Sequence, residues 1–255
     1  MIKKTVLTFA LVSAFAAPAM ADGFTNGGFE SGTFAGWTLG SGAFSYGTST
    51  NTLNAADYLP GGSKYNASKS AVAITTAGGT DAITGAATTF NGNHAVRVND
   101  SINNYSVNVI KQSVTNYTDA TINFAWNAVL EDSHTLTDSD AFNLTLIDDT
   151  TGLTVFQKSI SSASAPGSFS QIGNWNTSGW QVETLNVGTL SGHNFTLSLL
   201  AADCSYGGHA GYVYLDGFGA TIPTAVPEPE TYTLMLAGLG LMGAVARRRT
   251  NKSAA

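Results

Sequence analysis

The sequence has little cysteine and little charge. Cys204 is the one cysteine in 255 residues, so an internal disulfide is excluded and stability has to come from a buried core or a bound ion. Only 11% of the residues are charged, whereas long soluble helices usually carry many Glu, Lys and Arg residues. Composition therefore argues against a helical bundle. Cys204 itself is open to three interpretations, which are a buried apolar residue, a metal ligand and a thiol for intermolecular pairing.

The residues that are abundant favour β-structure. Glycine occurs 28 times, and Ser, Thr and Asn are frequent throughout the chain. This mixture suits short strands joined by many turns. The hydrophobic content of 43% argues against a wholly disordered chain. The residues between the two ends, about 200 of them, are enough for one domain with its own core.

The charge is unevenly distributed along the chain. The net charge is −6, but six of the 11 basic residues lie in the two ends. The stretch between Asp22 and Val226 has five basic and 15 acidic residues, which is a net charge of −10. A domain this acidic would repel nucleic-acid phosphates, so we exclude nucleic acid as a partner. The acidity is compatible with bound divalent cations and equally with an ordinary solvated surface.

The N-terminal residues have the three parts of a secretory signal in order. Two lysines precede an apolar run over residues 6–17, and residues 19–21 form a small-x-small cleavage site. We therefore predict a signal peptide at residues 1–21, recognised by the export machinery and by signal peptidase, and a mature protein that begins at Asp22. An uncleaved anchor helix is the alternative, although the apolar run is short for one.

The C-terminal residues have a different ordered pattern. Pro227-Glu228-Pro229 is followed by an apolar run over residues 232–246 and then by Arg247-Arg248-Arg249. The apolar run predicts a short transmembrane helix, and the arginines place its end on the cytoplasmic side. The domain that precedes the run would then lie outside the membrane, as the signal peptide also predicts.

This combination resembles the PEP-CTERM sorting signal of exported bacterial proteins. The resemblance covers residues 224–255 and implies that an exosortase-like enzyme processes the tail. Carriers of such tails are typically surface or matrix proteins of Gram-negative bacteria that make exopolysaccharide. The resemblance thus implies membrane anchoring by the tail before processing, and a final location at the cell surface or in the extracellular matrix. A plain tail anchor is the alternative.

The middle of the chain predicts one all-β domain over residues 22–223, a two-sheet β-sandwich or jelly roll. Strand-like segments recur between turn residues, and several alternate apolar and polar side chains, which predicts one buried and one exposed face. The nine predicted strands are Ala71–Ile74, His94–Val98, Tyr105–Val114, Thr121–Leu130, Phe142–Ile147, Thr154–Ile160, Trp180–Val187, Phe195–Ala201 and Gly211–Ile222. We interpret Ala35–Gly47 and Ser161–Gly173 as loops.

Two short segments mark the ends of this domain. Asn26-Gly27-Gly28-Phe29-Glu30 with Gly36-Trp37 opens it, and Tyr212–Phe218 closes it. They resemble the first and last strands of jelly-roll carbohydrate-binding modules. The resemblance implies that these strands lie close together and share a structural calcium, with Glu30 and Asp216 as its carboxylate ligands. The alternative is that Glu30 is a solvated turn residue and Asp216 caps a turn.

The usual catalytic motifs are missing. There is no G-x-S-x-G, no H-E-x-x-H and no glycine-rich phosphate loop, so we expect a protein that is not an enzyme. Acids are paired at residues 131–132, 138 with 140, and 148–149, and each pair adjoins a predicted turn, where Asp is common. We interpret these acids as solvated turn residues.

Two further groups of residues are candidates for a site. Cys204, His134 and His209 lie in loops that also contain acids, and this donor set suits a transition metal, although the spacing is not that of a zinc knuckle. Trp175 is the best candidate for an exposed ring that stacks on a sugar, because we expect Trp126 and Trp180 to lie in the core.

Three functions are compatible with these features. The first is a non-enzymatic surface or matrix protein with a role in adhesion, biofilm or floc structure. The second is a carbohydrate-binding module for exopolysaccharide, which differs from the first in having a defined sugar site. The third is a secreted hydrolase with an unrecognised site. Fold alone does not choose among them.

Overall fold

A computed structural model describes residues 23–133, 135, 139–164, 167, 169–219, 221, 239 and 242. The predicted signal peptide, His134 and the sorting tail other than residues 239 and 242 lie outside this range. Among the described residues, no helix is long and apolar enough to cross a membrane. That finding does not cover the predicted span at residues 232–246, of which two residues are described.

The domain folds into two antiparallel sheets, and the predicted two-sheet β-sandwich is confirmed. The strands are β1 (Thr38–Ala43), β2 (Ala73–Thr76), β3 (His94–Val98), β4 (Ser106–Tyr117), β5 (Thr121–Glu131), β6 (Ala141–Asp148), β7 (Leu153–Ser161), β8 (Ser170–Ile172), β9 (Trp175–Thr177), β10 (Gln181–Asn186), β11 (His193–Ala202) and β12 (Gly211–Gly219). A short helix, α1 (Ala55–Tyr58), follows β1. The first sheet has the order β1-β4-β11-β6-β7. The second has the order β2-β3-β12-β5-β9-β8, with β10 also paired to β5.

The nine predicted strands are present, and their ends are displaced by three residues or fewer. The two predicted loops are wrong in part, because Ala35–Gly47 contains β1 and Ser161–Gly173 contains β8. The strand β1 was predicted as a loop because it contains glycines. A Cβ at Gly40 would lie 2.7 Å from the carbonyl oxygen of Tyr58, so glycine is needed where a neighbouring segment crosses the strand. The same glycines remove the apolar alternation by which a strand is recognised.

The core lies between the two sheets and is rich in aromatic rings. Phe218 on β12 is central to it, because its ring centroid lies 4.8 Å from that of Phe124 and 4.9 Å from that of Trp37. The segment before β1 adds Phe24 and Phe29 to the same cluster. Burial of such large side chains is the main source of stability for a domain that has no disulfide.

The two ends of the sandwich differ, and we call them the tail pole and the loop pole. β12 ends at Gly219 at the tail pole, where the Phe218 N–H donates to the carbonyl of Gly27 at 3.0 Å. Thr221 follows Gly219 by two residues and is the last described residue before the predicted tail at residues 224–255, so the described domain ends near the tail pole.

The loop pole is the opposite end, where β12 begins. Segments 44–49, 99–105 and 203–210 meet there. The Phe44 N–H donates to the carbonyl of Tyr105 at 3.1 Å, which ties the first two segments together. Because β12 has nine residues and a strand rises about 3.3 Å per residue, the two poles are roughly 30 Å apart.

Candidate functional site

The outer face of the second sheet carries a row of four aromatic side chains, which we call the aromatic face. Side chains alternate along β12, so Tyr212 and Tyr214 lie on the outer face while Val213 enters the core. Trp175 on β9 and Trp180 just before β10 extend the row. Ring centroids of neighbours are 5.7–6.3 Å apart from Trp175 through the tyrosines to Trp180. The row forms a continuous apolar strip across the sheet.

Segment 77–93 covers the middle of the aromatic face. The hydroxyls of Tyr212 and Tyr214 both donate to Asp81 Oδ2 at 2.7 Å. The two tyrosines are only 3% and 2% exposed as a result. The middle of the row is therefore closed by the protein itself, whereas Trp175 and Trp180 at its ends are partly buried.

The same segment also binds the Trp180 end of the row. The indole N–H of Trp180 donates to the carbonyl of Ala87 at 2.9 Å, and the ring of Phe90 lies 5.4 Å from that of Trp180. Trp175 lies at the opposite end of the row.

Asp81 is a charged anchor for segment 77–93. Burial favours its neutral form, but hydrogen bonds from Tyr212, Thr84 and Tyr214 outweigh burial and lower its pKa. Burial and the nearby carboxylate raise the pKa of both tyrosines, so their hydroxyls remain protonated donors. The guanidinium of Arg97 lies 5.8 Å from the centroid of the Tyr212 ring, a cation–π contact on the same face.

Trp175 lies on the aromatic face but is partly buried, so it is less exposed than the sequence predicted. Its ring centroid is 6.0 Å from that of Tyr212. Glu131 is its partner across the β5–β9 pair, and Ile172 is its partner across the β8–β9 pair. Directly paired residues share a face of the sheet, so a large ring, an exposed aliphatic side chain and a carboxylate lie together.

The prediction for the other two tryptophans is correct for Trp126 and wrong for Trp180. Trp126 lies in the core, with its ring 5.6 Å from that of Phe142. Trp180 lies outside the core because it precedes β10 at a turn, and its ring packs 6.3 Å from Tyr214 on the outer face.

The structure brings Glu30 and Asp216 together at the tail pole, and we call this pair the paired-carboxylate site. A Cβ at Gly28 would lie 3.6 Å from Glu30 Cγ and 3.8 Å from Asp216 Oδ1, so both side chains pack against this glycine. Glu30 accepts backbone N–H groups from residues 93 and 94 at 2.9–3.1 Å. Asp216 Oδ2 accepts those of residues 90 and 91 at 2.8–3.0 Å.

One oxygen of the paired-carboxylate site has no hydrogen-bond partner in the protein. Asp216 Oδ1 is buried and accepts no hydrogen bond. Burial raises the pKa of Asp216 to about 8, and the charge of Glu30 adds to that rise while the backbone N–H groups of residues 90, 91 and 217 oppose it. A buried carboxylate oxygen without a donor, next to a second carboxylate, fits a hard cation such as calcium. Glu30 and Asp216 are the residues that would hold it.

The second predicted metal site is only partly covered by the described residues. Cys204 is buried, its N–H donates to the carbonyl of His209 at 3.0 Å, and its Sγ accepts from the Tyr206 N–H at 3.4 Å. Within the part of the chain that the structure describes, no three His, Cys, Asp or Glu side chains are grouped to hold a metal. His134 lies outside that part, so a site formed by Cys204, His134 and His209 stays a prediction.

Two acids that were predicted as solvated turn residues are buried. Asp140 and Asp148 are at most 1% exposed, because their turns pack against the sandwich. Burial raises the pKa of Asp140 well above its usual range, although the hydroxyl of Ser162 donates to it. Burial alone would also raise the pKa of Asp148, but hydrogen bonds from Thr151 and His193 hold it at about 2.

Sequence reasoning missed two buried acids that organise the loops, Asp81 and Asp203. Asp203 accepts backbone N–H groups from residues 104 and 106 at 3.0 and 2.9 Å. Burial nevertheless raises the pKa of Asp203 to about 6. The bond from the Thr84 N–H to Asp81 at 2.7 Å is a local turn signal that the sequence could have revealed. No local sequence pattern indicates that the distant Tyr212 and Tyr214 also donate hydrogen bonds to Asp81.

The C-terminal tail matches a known motif. Residues 225–249 match the family model described as the PEP-CTERM protein-sorting motif. The tail is a PEP-CTERM sorting motif. It contains the six predicted sorting residues, Pro227, Glu228, Pro229, Arg247, Arg248 and Arg249. The motif indicates export, with anchoring by the C-terminal tail before processing.

Comparison with curated proteins gave no match. Among solved structures, the chain is similar to TmCBM61 in complex with β-1,4-galactotriose, with 12% identity, a TM-score of 0.43 and coverage of 77% of this chain and 95% of that chain. It is similar to CBM28, a carbohydrate-binding module specific for non-crystalline cellulose, with 16% identity, a TM-score of 0.39 and coverage of 76% and 91%. It is also similar to the K1 cleaved adhesin domain of Lys-gingipain from Porphyromonas gingivalis W83, with 12% identity, a TM-score of 0.35 and coverage of 74% and 92%. Likeness this remote does not extend to a ligand.

Proposed function

We propose that this protein is a non-catalytic surface or matrix protein, sorted by an exosortase-like enzyme, whose β-sandwich binds polysaccharide in an adhesive or biofilm role. The sorting motif supports the location. The aromatic face supports the activity, and the observation that carries it is the partly exposed Trp175 ring beside Tyr212 at one end of the row.

The chemistry of that end of the row suits a pyranose. The C–H faces of a sugar ring are apolar and stack on a flat indole, while the hydroxyls at its rim need hydrogen-bonding groups. The carboxylate of Glu131, paired with Trp175 across the strands, accepts hydrogen bonds from Asn174 and Ala210 at 2.7 and 3.0 Å. Its position is therefore fixed next to the ring, which favours a defined sugar orientation.

The described acids support a binding role over a hydrolytic one. Hydrolysis of a glycosidic bond usually needs two carboxyl groups that face one accessible cleft. Asp140 and Asp148 are buried, and Asp81 is occupied by two tyrosine hydroxyls. Glu131 and Asp132 lie beside β9, and both carboxylates already accept hydrogen bonds. Glu131 accepts from Asn174 and Ala210, and Asp132 accepts from Gln171 and Asn176.

Retention of the full chain in native gels that contain dissolved polysaccharide tests the proposal. The probes are a neutral β-glucan, a neutral galactan and acidic alginate, with the chain kept in mild detergent. We expect Trp175→Ala to weaken retention about fivefold or more, and Trp175→Phe to keep most of it. Val182→Ala is the matched control, because Val182 is an exposed apolar residue on the same sheet. Equal retention of Trp175→Ala and the wild type would remove the aromatic face as the binding site.

The adhesive role has its own test. Deletion of the gene should reduce cell aggregation and matrix retention, and expression of the Trp175→Ala chain should not restore them. Full restoration by that variant would separate the adhesive role from the aromatic face.

The paired-carboxylate site supports a further proposal, which is a structural calcium held by Glu30 and Asp216. The supporting observation is the buried Asp216 Oδ1 that accepts no hydrogen bond. When bound, the cation would supply the positive charge that this pair lacks among its described contacts. It would also tie the first described segment to the last strand, in a domain without a disulfide.

A further inference from the structure

Two exposed aromatic rings lie together at the loop pole, away from the row of four on the sheet. Tyr46 is 71% exposed and Tyr206 is 43% exposed. Their ring centroids are 5.2 Å apart at an interplanar angle of 73°. Large rings this exposed are unusual, because burying such a ring stabilises a fold. We call the two rings the pole pair.

The segments that carry the pole pair are held in place by the backbone. The Gly47 N–H donates to the carbonyl of Ser205 at 2.9 Å, which joins the segment of Tyr46 to that of Tyr206. Gly47 has a φ of 77°, a conformation that glycine adopts without strain. The Tyr206 N–H donates to the buried Cys204 Sγ, which anchors the second ring. The rings are therefore presented in a fixed corner, so that little ordering is needed when a ligand binds.

The charge of this surface narrows the class of ligand. Segments 44–49 and 203–210 contain no Lys, Arg or Glu, and their one acid, Asp203, is buried. Segment 99–105 at the same pole also has no Lys or Arg, so an acidic partner would find no lysine or arginine in these segments. A corner of two rings with phenol hydroxyls instead offers apolar faces and hydrogen-bonding edges, which match the C–H faces and hydroxyls of a neutral sugar.

The position of the pole pair also favours an extended external ligand. The last described residue before the C-terminal tail, Thr221, lies near the tail pole, so the loop pole is at the opposite end of the described domain. Segment 203–210 lies between the pole pair and Trp175, because the Ala210 N–H donates to Glu131, the strand partner of Trp175. One polysaccharide chain that passes along this segment can reach both aromatic surfaces.

We propose that Tyr46 and Tyr206 form a second contact site for neutral polysaccharide at the loop pole. This inference rests on the proposed function, because it concerns the same class of ligand. The two sites raise the affinity for long chains by acting together, since the second contact becomes intramolecular once the first is made. Short oligosaccharides that contact one site bind more weakly.

The test measures retention of the full chain, in mild detergent, on native gels with neutral β-glucan, neutral galactan or alginate. We expect Tyr46→Ala and Tyr206→Ala each to weaken retention by a neutral polysaccharide about fivefold, and Tyr46→Phe to keep most of it. Leu153→Ala is the control, because Leu153 is 65% exposed and begins β7 at the tail pole, the end of the sandwich opposite to the pole pair. Tyr46 is exposed enough that its removal should leave the melting temperature unchanged, so this variant stays informative even if Tyr206→Ala folds poorly.

The outcomes separate this inference from the proposed function. Loss of retention in Trp175→Ala with full retention in Tyr46→Ala overturns the pole site and leaves the aromatic face. Loss in Tyr46→Ala with full retention in Trp175→Ala supports the pole site and overturns the aromatic face. If no polysaccharide retains the wild-type chain, both the pole site and the aromatic face are wrong as binding sites. If sedimentation shows that Tyr46→Ala abolishes a dimer while sugar binding is unchanged, the pole pair is a contact between copies of this chain and the inference is wrong.

Discussion

Glu30 and Asp216, from opposite ends of the described domain, pack on the same glycine and bind the same segment of backbone. Each carboxylate accepts backbone N–H groups from residues 90–94. Gly28 lies between them with no side chain to separate them. The consequence is two neighbouring carboxyl groups where the first described segment meets the last strand, with one buried oxygen, Asp216 Oδ1, that has no hydrogen-bond partner among the described residues.

Calcium should stabilise the domain through this pair. Because the ion would bind the native state and not the unfolded chain, millimolar calcium should raise the melting temperature and a chelator should lower it again. The measurement is thermal unfolding of the full chain with calcium and with chelator. In Glu30→Gln and in Asp216→Asn the response should disappear, whereas Asp100→Asn, an acid in a loop at the other pole, should keep it. Superimposable wild-type curves in calcium and in chelator would remove the ion from the site.

Replacement of Asp81 should destabilise the domain. Asp81→Ala leaves two buried tyrosine hydroxyls without their acceptor, and each hydrogen bond to a charged group contributes about 1.5–3 kcal/mol. We expect a loss of about 2–5 kcal/mol in the free energy of unfolding by denaturant. Tyr212→Phe should cost less in the Asp81→Ala background than in the wild type, because its partner is already gone. If the losses in the free energy of unfolding from Asp81→Ala and Tyr212→Phe were additive in the double variant, the predicted coupling of the two residues would be wrong.

Stability should fall as the pH rises from about 4 to about 6. Burial raises the pKa of Asp203 to about 6, above its value near 3.9 in an unfolded chain. The folded state therefore binds more protons across this window, and the free energy of unfolding decreases as the proton is lost. Asp148 acts in the other direction, but its pKa of about 2 confines that contribution to pH below about 4.

Chemical unfolding at several pH values checks this prediction. The decrease between pH 4 and 6 should be smaller in Asp203→Asn, which cannot ionise, than in the wild type, by about 1–3 kcal/mol. Asp140 and Asp216 also have raised pKa values, about 8 for Asp216, so a residual slope is expected in the variant. An unchanged slope would show that Asp203 is not its source.

A chain that ends at Thr224 should fold and be released from the envelope. The buried hydrophobic residues of the described part run from Phe24 to Phe218, so the core is complete before the sorting motif begins. We expect soluble protein in the medium, with a melting temperature within a few degrees of that of the full chain. A misfolded or insoluble product would mean that the tail contributes to the fold. Full-length protein with Trp126→Ala, which removes a core ring, is the control for a folding defect, at about 3–5 kcal/mol.

The sequence by itself determined the features that depend on local pattern. The alternation of apolar and polar residues along the chain predicted the strands. In β11, for example, Phe195 and Leu197 face the core. The order of Pro227-Glu228-Pro229, an apolar run and Arg247-Arg248-Arg249 predicted the sorting motif, because such a signal is read along the chain.

Only the tertiary structure decided which distant residues meet and which polar residues are buried. Asp81 shows this, since its local bond to Thr84 is readable from sequence while its bonds to Tyr212 and Tyr214 depend on where segment 77–93 lies. Trp180 was predicted for the core and lies on the outer face, because it precedes β10 at a turn and its ring packs against Tyr214. Strand register and loop paths are set by the sum of many long-range contacts, and no short stretch of sequence contains that sum.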